Sequence, residues 1–122
     1  MSEISFILVY VDDVARSEGF YESVLGCSAI QSSPTFAMLP AGPRLMLGLW
    51  RRDGVKPAAT ASGGGEIAFT AADEAEVDAR FAQWRALDVP IAQTPTRMDF
   101  GYTFVGLDPD GQRLRVFAPA AD

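Results

Sequence analysis

The chain has 122 residues, of which 48% are apolar and 21% are charged, and its formal net charge is −6. This length and apolar content suit one compact soluble domain, or two small halves that share a core. Ten basic residues against sixteen acidic ones argue against the backbone of a nucleic acid as a partner.

The chain contains no histidine, and Cys27 is its only cysteine. Ser-His and Cys-His nucleophilic pairs, His-based metal sites and an intrachain disulfide are therefore excluded. A lone cysteine fits a reducing cytoplasm, and the sequence has neither a secretory signal pattern nor an apolar run of membrane-spanning length. We therefore expect a cytoplasmic protein that has no membrane partner.

The first predicted elements are a strand and a helix. Ile4–Val11 is rich in β-branched and aromatic residues, which predicts a strand. Asp12 or Asp13 then supplies the N-cap oxygen of a helix over Val14–Leu25, and Gly26 follows as the expected C′ residue.

Three strands and a linker are predicted next. The strands are a weak one over Ala29–Ser32, then Thr35–Leu39 and Arg44–Trp50, which the Pro-Ala-Gly-Pro segment at 40–43 connects. Arg51–Gly65 contains a Lys-Pro pair and three consecutive glycines, which is typical of a mobile linker.

The pattern then restarts in the second half. Glu66–Thr70 predicts a strand, and Asp73-Glu-Ala-Glu76 is similar to a capping box that opens a helix running to about Asp88. Trp84 lies on the apolar face of this helix, so we assign it to the core. The remaining strands are expected over Val89–Gln93, Tyr102–Leu107 and Arg113–Phe117.

The last two strands are joined by Asp108-Pro-Asp-Gly111, in which Pro presets one backbone angle and Gly accepts a positive φ. Because strand residues alternate between faces, Leu114 and Val116 share one side while Arg115 and Phe117 share the other. An arginine in mid-strand among apolar residues marks either a solvated position or a charge placed inside a pocket.

The order of elements is thus strand, helix, strands and linker, repeated after about 60 residues. It predicts a first module over about 1–52, a linker over about 53–64 and a second module over about 65–119. Neither module would bury much core alone, and together they would curve their sheets around a shared cleft.

Two motifs in this order resemble the vicinal oxygen chelate superfamily, which contains glyoxalase I, extradiol dioxygenases and bleomycin-resistance proteins. They are the run Val9–Gly26 and the turn at 108–111 with the strand after it. The resemblance implies a single glyoxalase/bleomycin-resistance-like domain over residues 1–122. Its fold would be α+β, with two βαβββ modules whose curved mixed sheets form the shared cleft and whose helices lie on the outer faces.

Metal-dependent members of this superfamily carry His or Glu ligands on four strands. Carried over motif by motif, those places fall at Phe6, in the apolar 45–47 region, at Glu66 and at Arg115. One carboxylate beside an arginine makes no metal site. The resemblance therefore implies no metal, no other cofactor, and no metal-dependent lyase or dioxygenase activity.

The runs Leu8–Val11, Gly48–Trp50 and Phe100–Phe104 resemble the metal-free, drug-binding branch of the superfamily, which includes phenazine antibiotic-resistance proteins. This resemblance implies a homodimer that sequesters a planar aromatic ligand, for example an antibiotic, in an aromatic-lined cleft. The linker lets the modules pair within one chain or by exchange between two.

The candidate ligand-binding residues are aromatic walls and two polar anchors: Phe6, Phe36, Trp50, Glu66, Phe100, Tyr102 and Arg115. Trp50 ends a strand beside the linker, where it either stacks on a ligand or belongs to the core. Glu66 and Arg115 either pair only with each other, or Arg115 binds a ligand carboxylate while Glu66 accepts a hydrogen bond from the ligand.

Two other functions stay open at this point. One is a metal-independent lyase or isomerase of the same superfamily, with Glu66 as general base and Arg115 stabilising an oxyanion. The other is a cleft that serves only dimer packing.

Overall fold

The computed structural model describes residues 4–60 and 65–121. The chain divides into unit 1, Met1–Ser62, and unit 2, Gly63–Asp122. Residues 61–64 of the predicted linker lie outside the described residues. Just before them, Arg52–Gly54 forms one turn of 3-10 helix, and Val55 is buried.

Unit 1 is a four-stranded mixed sheet with one helix, α1, over Val14–Leu25. Its strands are β1 (Phe6–Val11), β2 (Gln31–Ser32), β3 (Phe36–Gly42) and β4 (Leu45–Arg51). They lie in the order β1-β4-β3-β2, with β1 parallel to β4 and the other two pairs antiparallel.

Helix α1 begins and ends where the sequence predicts. The Asp13 side chain accepts a hydrogen bond from the backbone N–H of Arg16 at 3.1 Å, so Asp13 is the N-cap. Gly26 has φ 69°, and its N–H donates to the Glu22 carbonyl. A glycine accepts this left-handed conformation without steric cost, so the helix stops there.

Strand β3 continues beyond its predicted end at Leu39 into the Pro-Ala-Gly-Pro segment at 40–43, which we expected only to connect it to the next strand. Pro40 pairs with Met46, and the register then shifts before Gly42 pairs with Leu45. The irregularity accommodates the proline, which cannot donate to a regular ladder.

Unit 2 repeats the plan of unit 1, with helix α2 over Glu74–Ala86. Its strands are β5 (Glu66–Thr70), β6 (Ile91–Met98), β7 (Gly101–Leu107) and β8 (Arg113–Pro119). They lie in the order β5-β8-β7-β6, with β5 parallel to β8 and the other pairs antiparallel.

The predicted capping box opens helix α2. The Asp73 side chain accepts from the backbone N–H of Glu76 at 2.8 Å, and the Glu76 carboxylate accepts from the N–H of Ala72 at 3.2 Å. Trp84 is buried at the other end of the helix and packs edge-on against Phe104 with 5.1 Å between ring centroids. Its assignment to the core is confirmed.

Strand β6 runs to Met98, five residues past its predicted end, although it contains Pro95. It is an edge strand, and its pairing with β7 is irregular between Gln93 and Thr96. A proline is tolerated there because its missing N–H lies at an irregular edge of the sheet.

The turn between β7 and β8 forms around Asp108. Its Oδ1 accepts from the backbone N–H groups of Asp110 at 2.9 Å and Gln112 at 2.8 Å. Gly111 has φ 83°, as the turn requires of it.

Each unit is therefore a βαβββ module, and the predicted α+β fold of two such modules with mixed sheets is confirmed. No helix among the described residues is long and apolar enough to cross a membrane.

Candidate functional site

Each sheet has one face that the helix of its own unit covers and one that it does not, which we call the helix-free face. In unit 2 this second face carries Arg115, which lies on β8 between Ala68 of β5 and Val105 of β7. Ala68 is small, so the space beside the long arginine side chain is not filled from β5.

A pocket of ≈ 330 Å³ opens on the helix-free face of unit 2. Its lining residues are Glu66, Ala68, Phe100, Arg115 and Phe117. The walls thus combine two phenyl rings and a methyl group with one pair of opposite charges. An apolar pocket with a few polar groups that fix orientation is typical of a small-molecule site.

Arg115 is held from several directions. Its Nε donates to Glu66 Oε1 at 2.7 Å, and its Nη1 donates to Thr103 Oγ1 at 3.1 Å and to Gln93 Oε1 at 3.4 Å. Its guanidinium carbon lies 5.5 Å from the centroid of the Phe100 ring, within the range of a cation–π contact. The positive charge therefore has a fixed place in the pocket.

The two partners of the ion pair differ in depth. The Arg115 side chain is 15% exposed and the Glu66 side chain is 34% exposed. Thr103, which is fully buried, donates its hydroxyl proton to the Val116 carbonyl at 2.8 Å and so presents its oxygen to Arg115 as an acceptor. Arg115 is the inner, anchored partner, and Glu66 is the outer one.

Gly101 positions the phenyl ring above Arg115. Asp99 and Phe100 form the turn between β6 and β7, and Gly101 follows with φ 147°. A Cβ on Gly101 would overlap the carbonyl oxygen of Ala118, so only glycine lets β7 begin this close to β8. The ring of Phe100, 41% exposed, also meets Phe117 edge-on at 6.3 Å.

Tyr102 lies on the other face of the same sheet. Its hydroxyl donates to Asp78 Oδ1 of helix α2 at 2.8 Å, and Arg97 lies 5.2 Å above its ring. The hydrogen bond to Asp78 raises the pKa of the Tyr102 hydroxyl. The structure therefore does not bring Tyr102 together with Arg115, and places it in a surface contact between α2 and the sheet.

The predicted ligand-binding residues of unit 1 share its helix-free face. Trp50 of β4 lies between Tyr10 of β1 and Phe36 of β3, and we call these three residues the aromatic row. Tyr10 and Trp50 meet edge-on at 6.3 Å. Trp50 and Phe36 are half-buried, and Phe6 is 45% exposed at the start of β1. Among the described residues, this part of unit 1 is an apolar surface, and none of these aromatic side chains carries a charge.

The positions at which the superfamily carries metal ligands do not fit a metal ion in this chain. Phe6 and Arg115 offer no lone pair to a cation, and Glu66 is bonded to Arg115. In unit 1 the ladder position that corresponds to Arg115 is Gly48, one residue beyond the expected 45–47 region. Within 4–60 and 65–121, no three His, Cys, Asp or Glu side chains converge on a place for a metal.

Four residues of the site are absent from the predicted set: the lining residues Ala68 and Phe117, and the Arg115 acceptors Thr103 and Gln93. The sequence contains the signal for Thr103, because the turn centred on Asp108-Pro-Asp-Gly sets Val105 opposite Arg115 and Thr103 opposite Phe117. It contains no such signal for Gln93, because the irregular pairing around Pro95 breaks the alternation of faces along β6.

Known proteins with similar sequences and structures agree with this architecture. A family model described as the Glyoxalase/Bleomycin resistance protein/Dioxygenase superfamily matches residues 3–116. The phenazine antibiotic resistance protein EhpR of Enterobacter agglomerans is 29% identical over 112 residues, which are 89% of this chain and 86% of that protein.

Among solved structures, protein ATC0852 from Agrobacterium tumefaciens superposes with a TM-score of 0.85 at 43% identity, over 99% of this chain and 100% of that one. A lactoylglutathione lyase from the same organism superposes with a TM-score of 0.78 at 27% identity, over 97% of this chain and 94% of that one. Since the family model matches nearly the whole sequence, the expected resemblance is confirmed: the chain belongs to the glyoxalase/bleomycin resistance/dioxygenase superfamily.

Proposed function

We propose that this protein binds a planar aromatic small molecule in the pocket of unit 2, without a metal ion, and holds it chemically unchanged. The observation that carries the proposal is Arg115, a guanidinium fixed by three acceptors under the ring of Phe100. A charge placed so firmly in an apolar pocket suits the recognition of a polar group on a flat ligand.

The aromatic side chains of the pocket provide the contacts to the ring system of the proposed ligand. Phe100 and Phe117 stand edge to face, and the Phe100 ring is exposed enough to contact a ligand. Stacking between aromatic rings contributes about 0.5–1.5 kcal/mol beyond the burial of area, and a guanidinium plane stacks on aromatic faces as well. A flat ring system is therefore the shape that the pocket favours.

The relative EhpR supports the ligand class. Its name assigns it to resistance against phenazine antibiotics, and a phenazine is a planar, three-ring aromatic compound. Resistance by binding needs no reacting group in the protein, which agrees with a site whose candidate base is bonded to an arginine.

Calorimetric titration with phenazine-1-carboxylate tests the proposal. We expect the wild-type protein to bind it, and Arg115→Met to weaken binding at least about tenfold, which corresponds to about 1.4 kcal/mol. Arg113→Met is the matched control, because Arg113 is exposed on the same strand and does not line the pocket. It should leave the affinity within about twofold.

The ligand recovered from the complex should have its original mass. Conversion of the phenazine, or the absence of binding by the wild-type protein, would contradict the proposal.

An enzyme is the second candidate, and two observations favour keeping it. Glu66 Oε2 makes no hydrogen bond within residues 4–60 and 65–121, so it is available to a substrate. One solved relative is a lactoylglutathione lyase. If Glu66 is the general base of a lyase or isomerase, Glu66→Gln should abolish turnover of lactoylglutathione or related substrates and leave their binding nearly unchanged. If Glu66→Gln loses binding and the wild-type protein shows no turnover, the enzyme hypothesis is contradicted.

The proposal extends to a homodimer located in the cytoplasm. Support for an interface comes from the exposed apolar side chains of unit 1, which include Phe6, Leu8 and Tyr10 on one strand. Light scattering after size exclusion should give twice the mass of the chain, and a monomer would remove this part of the proposal.

A further inference from the structure

We infer that the ligand is an aromatic acid, and that Glu66 occupies the place of the ligand's carboxylate while the pocket is empty. This inference rests on the proposed function and specifies which ligands the site selects. It follows from the unequal depth and bonding of the two charges in the pocket, Glu66 and Arg115.

Arg115 keeps its position without Glu66. Its Nη1 is bonded to Thr103 and Gln93, both neutral acceptors, and its guanidinium carbon lies 5.5 Å from the centroid of the Phe100 ring. Its Nη2 has no hydrogen-bond partner within the described ranges 4–60 and 65–121. The side chain therefore offers Nε and Nη2 together once Glu66 leaves, which is the pair of donors that binds a carboxylate with two parallel hydrogen bonds.

Glu66 is the partner that can leave. It is the first residue of β5, twice as exposed as Arg115, and among the described residues it is held only through Oε1. An ion pair with one partly exposed member contributes little to stability, because the freed carboxylate is hydrated again. Its side chain can turn toward water without moving the strand.

A neutral ligand cannot make the same exchange. Displacing Glu66 with an uncharged group would exchange the charge-assisted hydrogen bond at Nε for a weaker, neutral one, so the ligand would gain nothing from the exchange. A neutral compound must therefore bind beside the intact ion pair, whereas an acid replaces one carboxylate with another. The pocket consequently selects acids over neutral compounds of the same shape.

Two probes of the same shape test the inference by calorimetry: phenazine-1-carboxylate, at a pH where it is ionised, and its neutral amide, phenazine-1-carboxamide. We expect the wild-type protein to prefer the carboxylate. Removing the internal competitor by Glu66→Gln should strengthen carboxylate binding about tenfold and change amide binding by less than about twofold. Arg115→Met should abolish the preference.

Glu74→Gln is the matched control, because it removes the same charge from the same unit outside the pocket, where Glu74 pairs with Arg97. It should change neither affinity by more than about twofold. Since glutamine can still accept from Arg115, Glu66→Ala serves as a second variant and should give the same gain for the carboxylate.

The outcomes separate the two proposals. Equal wild-type affinities for the two probes, or a carboxylate affinity that Glu66→Gln and Glu66→Ala do not raise, would overturn the inference and leave the proposed function standing. Failure of the wild-type protein to bind either probe would overturn both.

Discussion

In unit 1, β1 pairs Leu8 with Gly48 of β4, whereas the corresponding pair of the β5–β8 ladder in unit 2 is Ala68 with Arg115. Both pairs stand two residues after the first pair of their ladder, on the helix-free face. The large side chain is thus on the outer strand in unit 1 and on the inner strand in unit 2.

The position of the large side chain determines whether the surface is apolar or holds a charge. A Cβ on Gly48 would lie 2.5 Å from Leu8 Cδ2 and 3.1 Å from Phe36 Cζ, so these two side chains cover the glycine. In unit 2, Ala68 leaves that space to Arg115. One exchange of side-chain size across a ladder thus turns an apolar surface into a pocket that holds a charge.

The largest expected effect comes from breaking the unit 2 arrangement at Gly101. Gly101→Ala forces a side chain into a left-handed conformation and into the Ala118 carbonyl, so the free energy of unfolding should fall by about 2–4 kcal/mol. Urea unfolding measures this. Gly111→Ala is the control: its φ is also positive but the space around it is open, and we expect about 1 kcal/mol. Equal losses for both would contradict the proposed close approach.

A double-mutant cycle in unit 1 tests whether side-chain size across the ladder distinguishes the two units. Gly48→Arg should cost about 2 kcal/mol by overpacking, because Leu8 and Phe36 fill the space. Adding Leu8→Ala recreates the size pattern of unit 2 and should recover about 1 kcal/mol as a coupling energy in urea unfolding. Leu8→Ala alone should cost little, because Leu8 is 47% exposed. Strict additivity would mean that side-chain size across the ladder does not distinguish the units.

A smaller effect concerns the two members of the ion pair. Arg115→Met should lower the free energy of unfolding by about 1 kcal/mol, because it removes three hydrogen bonds from a mostly enclosed group. Glu66→Gln should cost less than about 0.5 kcal/mol, since Glu66 is the more exposed partner. Thermal and urea unfolding of both variants test this order. A larger loss for Glu66→Gln would mean that Glu66, rather than Arg115, is the anchored member.

The smallest effect is a pH dependence at Tyr102 of unit 2. The hydrogen bond to Asp78 raises the pKa of this hydroxyl in the folded state. Its stabilisation is therefore fully present below the unfolded pKa of about 10 and is lost as the pH rises through the folded value. The stability difference between wild type and Tyr102→Phe should be constant from neutral pH to about pH 10 and should shrink as the pH rises further. A difference that persists at high pH would contradict the role of the phenol proton.

The sequence predicts helix α1 to the residue and the α+β plan of two modules. Capping carboxylates at Asp13 and Asp73 and the C′ glycine at Gly26 act locally, so they can be interpreted without tertiary structure. The predicted ends of β3 and β6 were wrong. Pro40 and Pro95 favour turns locally, but both strands continue through their proline with irregular pairing to the neighbouring strand.

The residues of the candidate site likewise divide into those that the sequence could predict and those that it could not. Glu66, Arg115 and Phe100 line one pocket, as alternation and turn geometry allow. Tyr102 lies on the helix side, because strand residues alternate and the register of the Asp108 turn that places Thr103 on the face of Arg115 places Tyr102 on the opposite face. The hydrogen bond from Arg115 to Gln93 could not be predicted, because β6 pairs irregularly and its residues do not follow a simple alternation between the two faces of the sheet.

The Asp108 turn has a consequence for how this protein can change in evolution. Two backbone N–H groups on one carboxylate oxygen hold the loop at a fixed length, and that length decides which residues of β8 face the pocket. One inserted or deleted codon before β8 would shift the strand by a single residue, turn Arg115 under helix α2 and put Leu114 or Val116 in its place. Loop-length variation, tolerated elsewhere on a protein surface, would here erase the binding chemistry in one step. Ligand preference can therefore diversify at this site only by substitution.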